Sequence, residues 1–169
     1  MRKDSLSISE KKGLTLKLKA ELEREGFKTS WSDETTIRVQ DLPIPKIVPF
    51  DIANLIISVQ EYHIYFAIII KFIKVLEDLI EAEEINKVYG DLHNKWFDEL
   101  TSYLSSIDPF AKLKWDVEYD VDIEDTMYGF LDTVDEVISL IRNLRELVCN
   151  EAKLSIRKFN VGRKLPFVR

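Results

Sequence analysis

The longest apolar stretch of the chain, residues 50–84, predicts one long helix by its spacing. Apolar residues recur there at alternating intervals of four and three, the repeat of a helix that packs along its whole length. They are Leu55, Val59, Tyr62, Phe66, Ile69, Ile73, Leu76 and Ile80. A further apolar set covers another face, with His63 as its main interruption, where we expect a satisfied core histidine. A helix that is apolar all round must be enclosed by several neighbours or by another chain. We therefore expect Tyr62, Phe66 and Ile69 to bind a partner.

A second run with the same spacing lies near the C-terminus and predicts a second long helix. Its members are Ile123, Met127, Phe130, Val134, Val137, Ile141, Leu144 and Val148. Two equal apolar runs in one chain most simply pack against each other as helices. The same spacing also permits packing between chains, as in a homo-oligomer. Asp125 and its acidic neighbours fall on the outer, solvated face in this interpretation.

Shorter elements surround this predicted core. Ser9 and Glu10 can cap a helix that ends near Glu25, with Gly26 as its stop. Segments 27–31 and 35–42 predict a β-hairpin whose Ile37 and Val39 face inward. The proline-rich segment 42–49 cannot be a helix interior and predicts a connector.

After the central helix, residues 89–91 predict a break, and residues 91–107 a shorter amphipathic helix that stops at Asp108. Residues 113–123 fit either a strand or an entry to the last helix, and 154–161 and 165–168 fit extended segments. The predicted fold is mainly α. It consists of a small α+β head with its connector (1–48), a long-helix hairpin or bundle (49–153) and a basic extended tail (154–169).

Composition and charge limit the class of protein. The apolar and charged fractions, 46% and 32%, are those of a soluble globular chain. A membrane span needs about 20 apolar residues, whereas the uninterrupted run at 64–70 is followed by Lys71 and Lys74. The N-terminus lacks a secretion signal and the single cysteine, Cys149, fits a reducing compartment, so we expect a cytoplasmic protein. Abundant Ile, Lys and Glu with little Gln lean toward a thermophile.

An acidic segment before the last predicted helix is the sharpest local pattern. In a strand, Asp116, Glu118, Asp120 and Asp122 share one face, and apolar residues share the other. Such carboxylates could hold a divalent cation, but the spacing of an EF-hand loop fails here because its glycine position is Val121. A surface that attracts a basic partner is the stronger functional interpretation, beside that of a simply solvated strand face.

The C-terminal tail interleaves bases with aromatic residues. It suits contacts to nucleic-acid phosphates with base stacking, and it equally suits a closing strand that packs on the body, or a protein partner. The candidate nucleic-acid-binding residues are Arg157, Lys158, Phe159, Arg163, Lys164 and Arg169.

No catalytic, cofactor-binding or metal-binding set is predicted, and we expect no enzyme and no cofactor. His63 and His93 are 30 residues apart without cysteines nearby, and the five glycines are isolated, so no phosphate loop is formed. His93 begins a predicted surface helix, where it could cap the helix or serve no purpose.

One family resemblance can be stated. The segment Leu42-Pro-Ile-Pro-Lys-Ile-Val-Pro-Phe-Asp-Ile, leading into a long helix, resembles the junction between the β domain and helical domain of an archaeal GINS replication subunit. Leu140-Ile-Arg-Asn-Leu-Arg-Glu-Leu resembles the Arg/Leu-rich helix of that family. The acidic segment and the basic tail depart from the family pattern. The resemblance implies a structural scaffold without an active site, held in a tetramer beside the replicative helicase in DNA replication.

These patterns together predict a non-catalytic subunit or adaptor of a larger intracellular assembly. Its partners would be other protein subunits or further copies of the chain, with no membrane involved. The alternatives are a nucleic-acid-binding protein that uses the basic tail, and an acidic inhibitor or decoy that uses the segment beginning at Asp116.

Overall fold

An antiparallel sheet, rather than a pair of long helices, forms the centre of this protein. The computed structural model describes residues 4–40, 50–72, 82–119 and 123–162. In chain order the elements are α1 (Ile8–Arg24), β1 (Lys28–Asp33), β2 (Thr36–Gln40), β3 (Phe50–Val59), β4 (Ile64–Phe72), α2 (Ala82–Ile107), β5 (Lys114–Tyr119), β6 (Ile123–Leu131) and α3 (Val134–Gly162). The strands lie in the order β1-β2-β3-β4-β6-β5, and every neighbouring pair is antiparallel. The fold is α+β, so the prediction of a mainly α helical bundle is wrong.

Strands β3 and β4 occupy most of the stretch for which one long helix was predicted. They form a hairpin through residues 60–63, in which the Gln60 N–H donates to the His63 carbonyl at 2.9 Å. Along β3 burial alternates, with Leu55, Ile57 and Val59 buried and the residues between them half-buried. Residues four apart share a face in a strand as they do in a helix, so the spacing did not separate the two. The β-branched isoleucines and valines favour the strand. Residues 73–81 lie outside the described residues.

The second predicted helix is divided between β6 and α3. The helix begins only after Thr133, whose hydroxyl accepts from the Glu136 N–H at 3.2 Å. The Glu136 carboxylate accepts in return from the Asp132 and Thr133 N–H groups at 3.0 and 3.3 Å. This reciprocal capping satisfies donors at the start of the helix. The two apolar runs do meet, but as paired strands, with Ile64 opposite Leu131 and Phe72 opposite Ile123.

Predictions for the shorter elements have mixed outcomes. Helix α1 is confirmed, although Ser7 rather than Ser9 caps it, and Gly26 follows it with φ 92°. The β1–β2 hairpin is confirmed, with Ile37 and Val39 buried.

The break predicted at residues 89–91 is wrong, because α2 continues through it to Ile107. The strand alternative for residues 113–123 is confirmed by β5. The extended segment predicted at 154–161 is wrong, because α3 includes it. The connector at 42–49 and the segment 165–168 lie outside the described residues.

The core lies between one face of the sheet and the three helices, and we call this the helix face. Leu18 and Leu22 of α1, Trp96 of α2 and Leu144 of α3 are fully buried there or nearly so, against strand residues such as Phe66. The helices also contact each other. The Tyr103 hydroxyl of α2 donates to the Ser139 carbonyl of α3 at 3.0 Å, and Arg142 of α3 pairs with Glu25 after α1. None of the helices, as far as the structure describes them, is long and apolar enough to traverse a bilayer.

A glycine on the helix face makes room for the ring of Phe66. Gly129 of β6 lies directly opposite Phe66 of β4. A β-carbon at Gly129 would stand 2.9 Å from the Phe66 ring and 3.0 Å from the Lys112 carbonyl oxygen. Because the ring is buried and the carbonyl belongs to the backbone, neither neighbour can move aside freely.

We expect Gly129→Ala to lower the free energy of unfolding by about 1–3 kcal/mol, the usual effect of overpacking a core. Gly13→Ala is the matched control. It lies inside α1 with no atom within 4 Å of the added carbon, and should raise the free energy by about 0.5–1 kcal/mol. Urea unfolding followed by circular dichroism measures both. Equal effects of the two substitutions would contradict the packing argument.

Candidate functional site

The second face of the sheet carries apolar and aromatic side chains that belong to no part of the described core. We call this side, opposite the helices, the open face. Its half-exposed apolar residues are Ile56, Tyr65, Ile69, Tyr128 and Phe130, with the small Ala67 buried among them. None of them belongs to the buried core cluster or packs against it. The buried side chains of all three helices instead belong to the core on the helix face.

Strand register arranges the open-face residues in rows across the sheet. One row is Ser30, Arg38, Ile56, Ala67, Tyr128 and Lys114, running from β1 to β5. The next row contains Lys28 and Gln40 at one side, Ile69 near the middle, and Thr126 and Asp116 at the other side. The centre of the face is therefore apolar and its two sides are polar or charged.

Aromatic rings gather at one end of the open face. The ring of Phe130 lies 4.2 Å from His63 and 5.6 Å from Tyr65, centroid to centroid. Tyr65 lies 6.2 Å from Tyr128. Partial burial, followed by the neighbouring Tyr128, raises the pKa of the Tyr65 phenol above its ordinary value. The Tyr65 hydroxyl therefore stays neutral near pH 7 and can donate a hydrogen bond to a partner.

A groove of about 300 Å³ adjoins this aromatic end. Its lining includes Phe110, whose side chain is 90% exposed, together with Phe130 and Lys114. His63 also lines the groove, and its Nε2 is 2.9 Å from the Gln60 side-chain oxygen. His63 is thus in a turn, and the prediction of a core histidine inside an apolar helix is wrong. The aromatic surface continues beyond the sheet onto the loop after α2.

Charges on the open face are separated by sign. Lys28 of β1 and Arg38 of β2 are exposed at one side. Asp116 and Glu118 of β5 are exposed at the other side, and Glu124 of β6 is half-exposed beside Glu118. Two lysines depart from this pattern. Lys114 lies on β5 at the acidic side, and Lys71 lies on β4 opposite Glu124. The face thus has a basic edge and an edge that is mainly acidic, with apolar residues between them.

A buried histidine–aspartate pair lies on the helix face. Asp125 of β6 is fully buried, and its Oδ2 is hydrogen-bonded to Nδ1 of His93 on α2. The imidazole stacks on Phe97 at 5.9 Å and meets Trp115 edge-on at 5.0 Å. The other oxygen of Asp125 has no hydrogen-bond partner in the described part of the chain. Asp125 was predicted to lie on a solvated outer face, and that prediction is wrong.

This pair links α2 to β6 of the sheet. Burial raises the pKa of the Asp125 carboxyl, the His93 hydrogen bond and charge lower it, and the nearby Asp116 raises it. The net shift is upward, because desolvation of a fully buried carboxylate outweighs the contribution of its partner. Among the described residues no cluster of three or more His, Cys, Asp or Glu could hold a metal ion.

The residues predicted to bind a protein partner are scattered by the fold. Ile69 lies on the open face, Tyr62 is 40% exposed in the β3–β4 turn, and Phe66 is buried in the core. Asp116 and Glu118 lie on the acidic edge of the open face, and Asp120 and Asp122 lie outside the described residues.

The nucleic-acid prediction stays untested. Arg157, Lys158 and Phe159 fall within α3 rather than an extended tail. Arg163, Lys164 and Arg169 lie outside the described residues.

Sequence reasoning missed the aromatic cluster and the His93–Asp125 pair. A signal for the first was present, since Tyr65, Ala67 and Ile69 alternate with Phe66 and Ile68 at the period of a strand. For the pair no local signal existed, because His93 and Asp125 are 32 residues apart.

The raised pKa of Asp125 predicts a pH-dependent stability. The folded state keeps the proton at pH values where the unfolded carboxyl, with a pKa of about 3.9, has lost it. The contribution of Asp125 to stability is therefore complete below the pKa of the unfolded carboxyl. It is lost as the pH rises through the higher pKa of the folded state. We expect Asp125→Asn, which keeps the shape without the charge, to gain stability relative to the wild type over this rise. Urea unfolding between pH 4 and pH 8 measures the difference.

The control for this measurement is the same substitution in a His93→Gln background. Because His93 lowers the Asp125 pKa, its removal should extend the loss to higher pH. Asp91→Asn, at an exposed position of α2, should show neither effect. A stability difference between wild type and Asp125→Asn that does not vary with pH would contradict the assignment.

Comparisons with known proteins leave the family open. No family model matches the chain, and no curated protein matches it. Among solved structures, the chain is similar to YbjN from E. coli, described as a candidate transcription regulator, with 10% sequence identity and a TM-score of 0.39. The match covers 79% of this chain and 87% of YbjN. A similarity this low carries no functional argument.

Proposed function

We propose that this chain is a non-catalytic subunit or adaptor of a protein assembly, and that the open face is its contact surface. The observation that supports the proposal is the central apolar and aromatic area of that face, from Ile56 through Ile69 to Phe130, which the described core leaves uncovered. A contiguous apolar patch on the surface of a soluble protein often marks an interaction site.

The composition of the open face suits a protein partner. Tyrosine and phenylalanine are enriched at protein interfaces, since a rigid ring gives a large contact area at little conformational cost. Tyr65, Tyr128 and Phe130 supply such rings, and the first two also carry hydroxyls. The charged edges form a polar rim around an apolar centre, which is the usual anatomy of a specific interface.

The sheet gives this surface a fixed shape. Ile69 and Tyr65 lie on β4, which is paired with β3 on one side and with β6 on the other. Side chains on a fully paired strand keep their relative positions without a partner, so little ordering free energy is spent on binding.

A role in DNA replication stays a prediction from the GINS resemblance alone. Its proline-bearing junction lies mostly outside the described residues, and the chain continues from it into β3 instead of a long helix. Its second segment lies within α3.

The test is a substitution in the centre of the open face. Ile69→Lys places a charge where an apolar contact is expected, while its flexible stem can still cover its neighbours. We expect assembly affinity to fall at least tenfold, a loss of about 1.4 kcal/mol or more. Native mass spectrometry of tagged protein, isolated after nuclease treatment, measures the mass and stoichiometry of the assembly.

Leu16→Lys is the matched control, because Leu16 is an exposed apolar residue on α1, away from the open face. It should leave the assembly intact, and circular dichroism should show both variants folded. An assembly that tolerates Ile69→Lys and Leu16→Lys equally well would refute the proposal. Retained material that disappears with nuclease would instead favour the nucleic-acid alternative.

A further inference from the structure

The geometry of the open face points to a second copy of this chain as its occupant, an inference that rests on the proposed function. In the arrangement that we infer, two open faces meet across a twofold axis that runs parallel to the strands and passes between β3 and β4. Each contact then occurs twice, as in any isologous dimer.

The strand order makes the open face complementary to itself about this axis. With the order β1-β2-β3-β4-β6-β5, β3 and β4 are the central strands, and rotation brings β1 of one copy opposite β5 of the other. Likewise β2 faces β6, and β3 faces β4. Two aligned sheets pack face to face in this way at about 10 Å.

Register then decides which residues meet, because a rotation about the strand direction keeps every residue in its own row. Lys28 and Asp116 share a row at opposite sides of the sheet. Lys28 of each copy therefore lies opposite Asp116 of the other. In the neighbouring row Ile56 faces Ala67, and Arg38 faces Tyr128. Lys114, the basic exception, faces the uncharged Ser30.

The size of the face is sufficient for a dimer. Five strand spacings give a width of about 24 Å, and the six-residue distance from Tyr65 to Lys71 gives a length of about 20 Å. Two such faces bury about 1,000 Å² in total, the lower limit for a specific interface. The apolar centre supplies the favourable free energy, and the charged edges select the orientation in which unlike charges meet.

Charge reversal tests the arrangement, with the purified full-length chain examined by sedimentation equilibrium. We expect the wild type to be a dimer. Lys28→Glu alone and Asp116→Lys alone should each raise the dimer dissociation constant on the order of tenfold, because each creates two pairs of like charges.

Mixing the two single variants is the decisive experiment. In the mixed dimer, the introduced carboxylate at 28 faces the introduced ammonium at 116, and the native Lys28 faces the native Asp116. All pairs are then complementary, so affinity should return to within about twofold of the wild type. Neither an unfolded variant nor a merely structural role of Lys28 would produce this recovery. Lys17→Glu and Asp91→Lys, which make the same changes at exposed helix positions, should leave the dimer unaffected.

The other possible results distinguish failure of the dimer inference from failure of the proposed function. A monomeric wild type, or a mixture that dissociates as readily as the single variants, overturns the second copy as the occupant. If Ile69→Lys still abolishes an assembly with another protein, the proposed function stands while this inference fails. If Ile69→Lys changes neither self-association nor any assembly, both proposals fail together.

Discussion

The hydrogen-bonded pairing of β4 with β6 joins the two halves of this fold. β4 closes the N-terminal half, in which each strand pairs with the next along the chain, while β6 belongs to the C-terminal half. Because the register is continuous from Ile64 to Phe72, this one pairing aligns both faces of the sheet. On the helix face it brings Phe66 over Gly129, and on the open face it brings Tyr65 beside Phe130. The ion pair between Glu25 and Arg142 then links helices from the two halves.

The spacing of apolar residues identified those elements in which it fits only a helix or only a strand. It gave the wrong element where the same spacing fits both. Helix α1 and the β1–β2 hairpin have short, well-bounded patterns, and both were predicted. In β3 and β4, Leu55 and Val59, or Ile64 and Ile68, are four apart and share a face in either structure. Apolar residues on both faces of a central strand conceal its alternation. The informative features were the β-branched composition and the polar residues Gln60, Glu61 and His63, which lie at the turn between β3 and β4.

The candidate surfaces were harder to predict because they are made by strand order and register rather than by local motifs. Ile69, Asp116 and Glu118 were chosen for other reasons and lie on the open face, while Phe66 faces the core. The His93–Asp125 contact depends on how α2 packs against β6, which no spacing in the chain encodes. The two faces have different roles: the helix face provides the stability of the domain, and the open face presents a rigid apolar centre between edges of opposite charge.

The separation of β4 from β6 along the chain also affects how the protein is made. On the ribosome, β4 is complete well before β6, since residues 73–122 must be synthesised between them. During that interval the isoleucine-rich strand has an unpaired edge, and such an edge is a template for pairing with other chains. Closing so long a gap is slow compared with forming a local hairpin. The yield of native protein therefore depends on the rate at which β4 pairs with β6, relative to the rate at which the nascent N-terminal half aggregates.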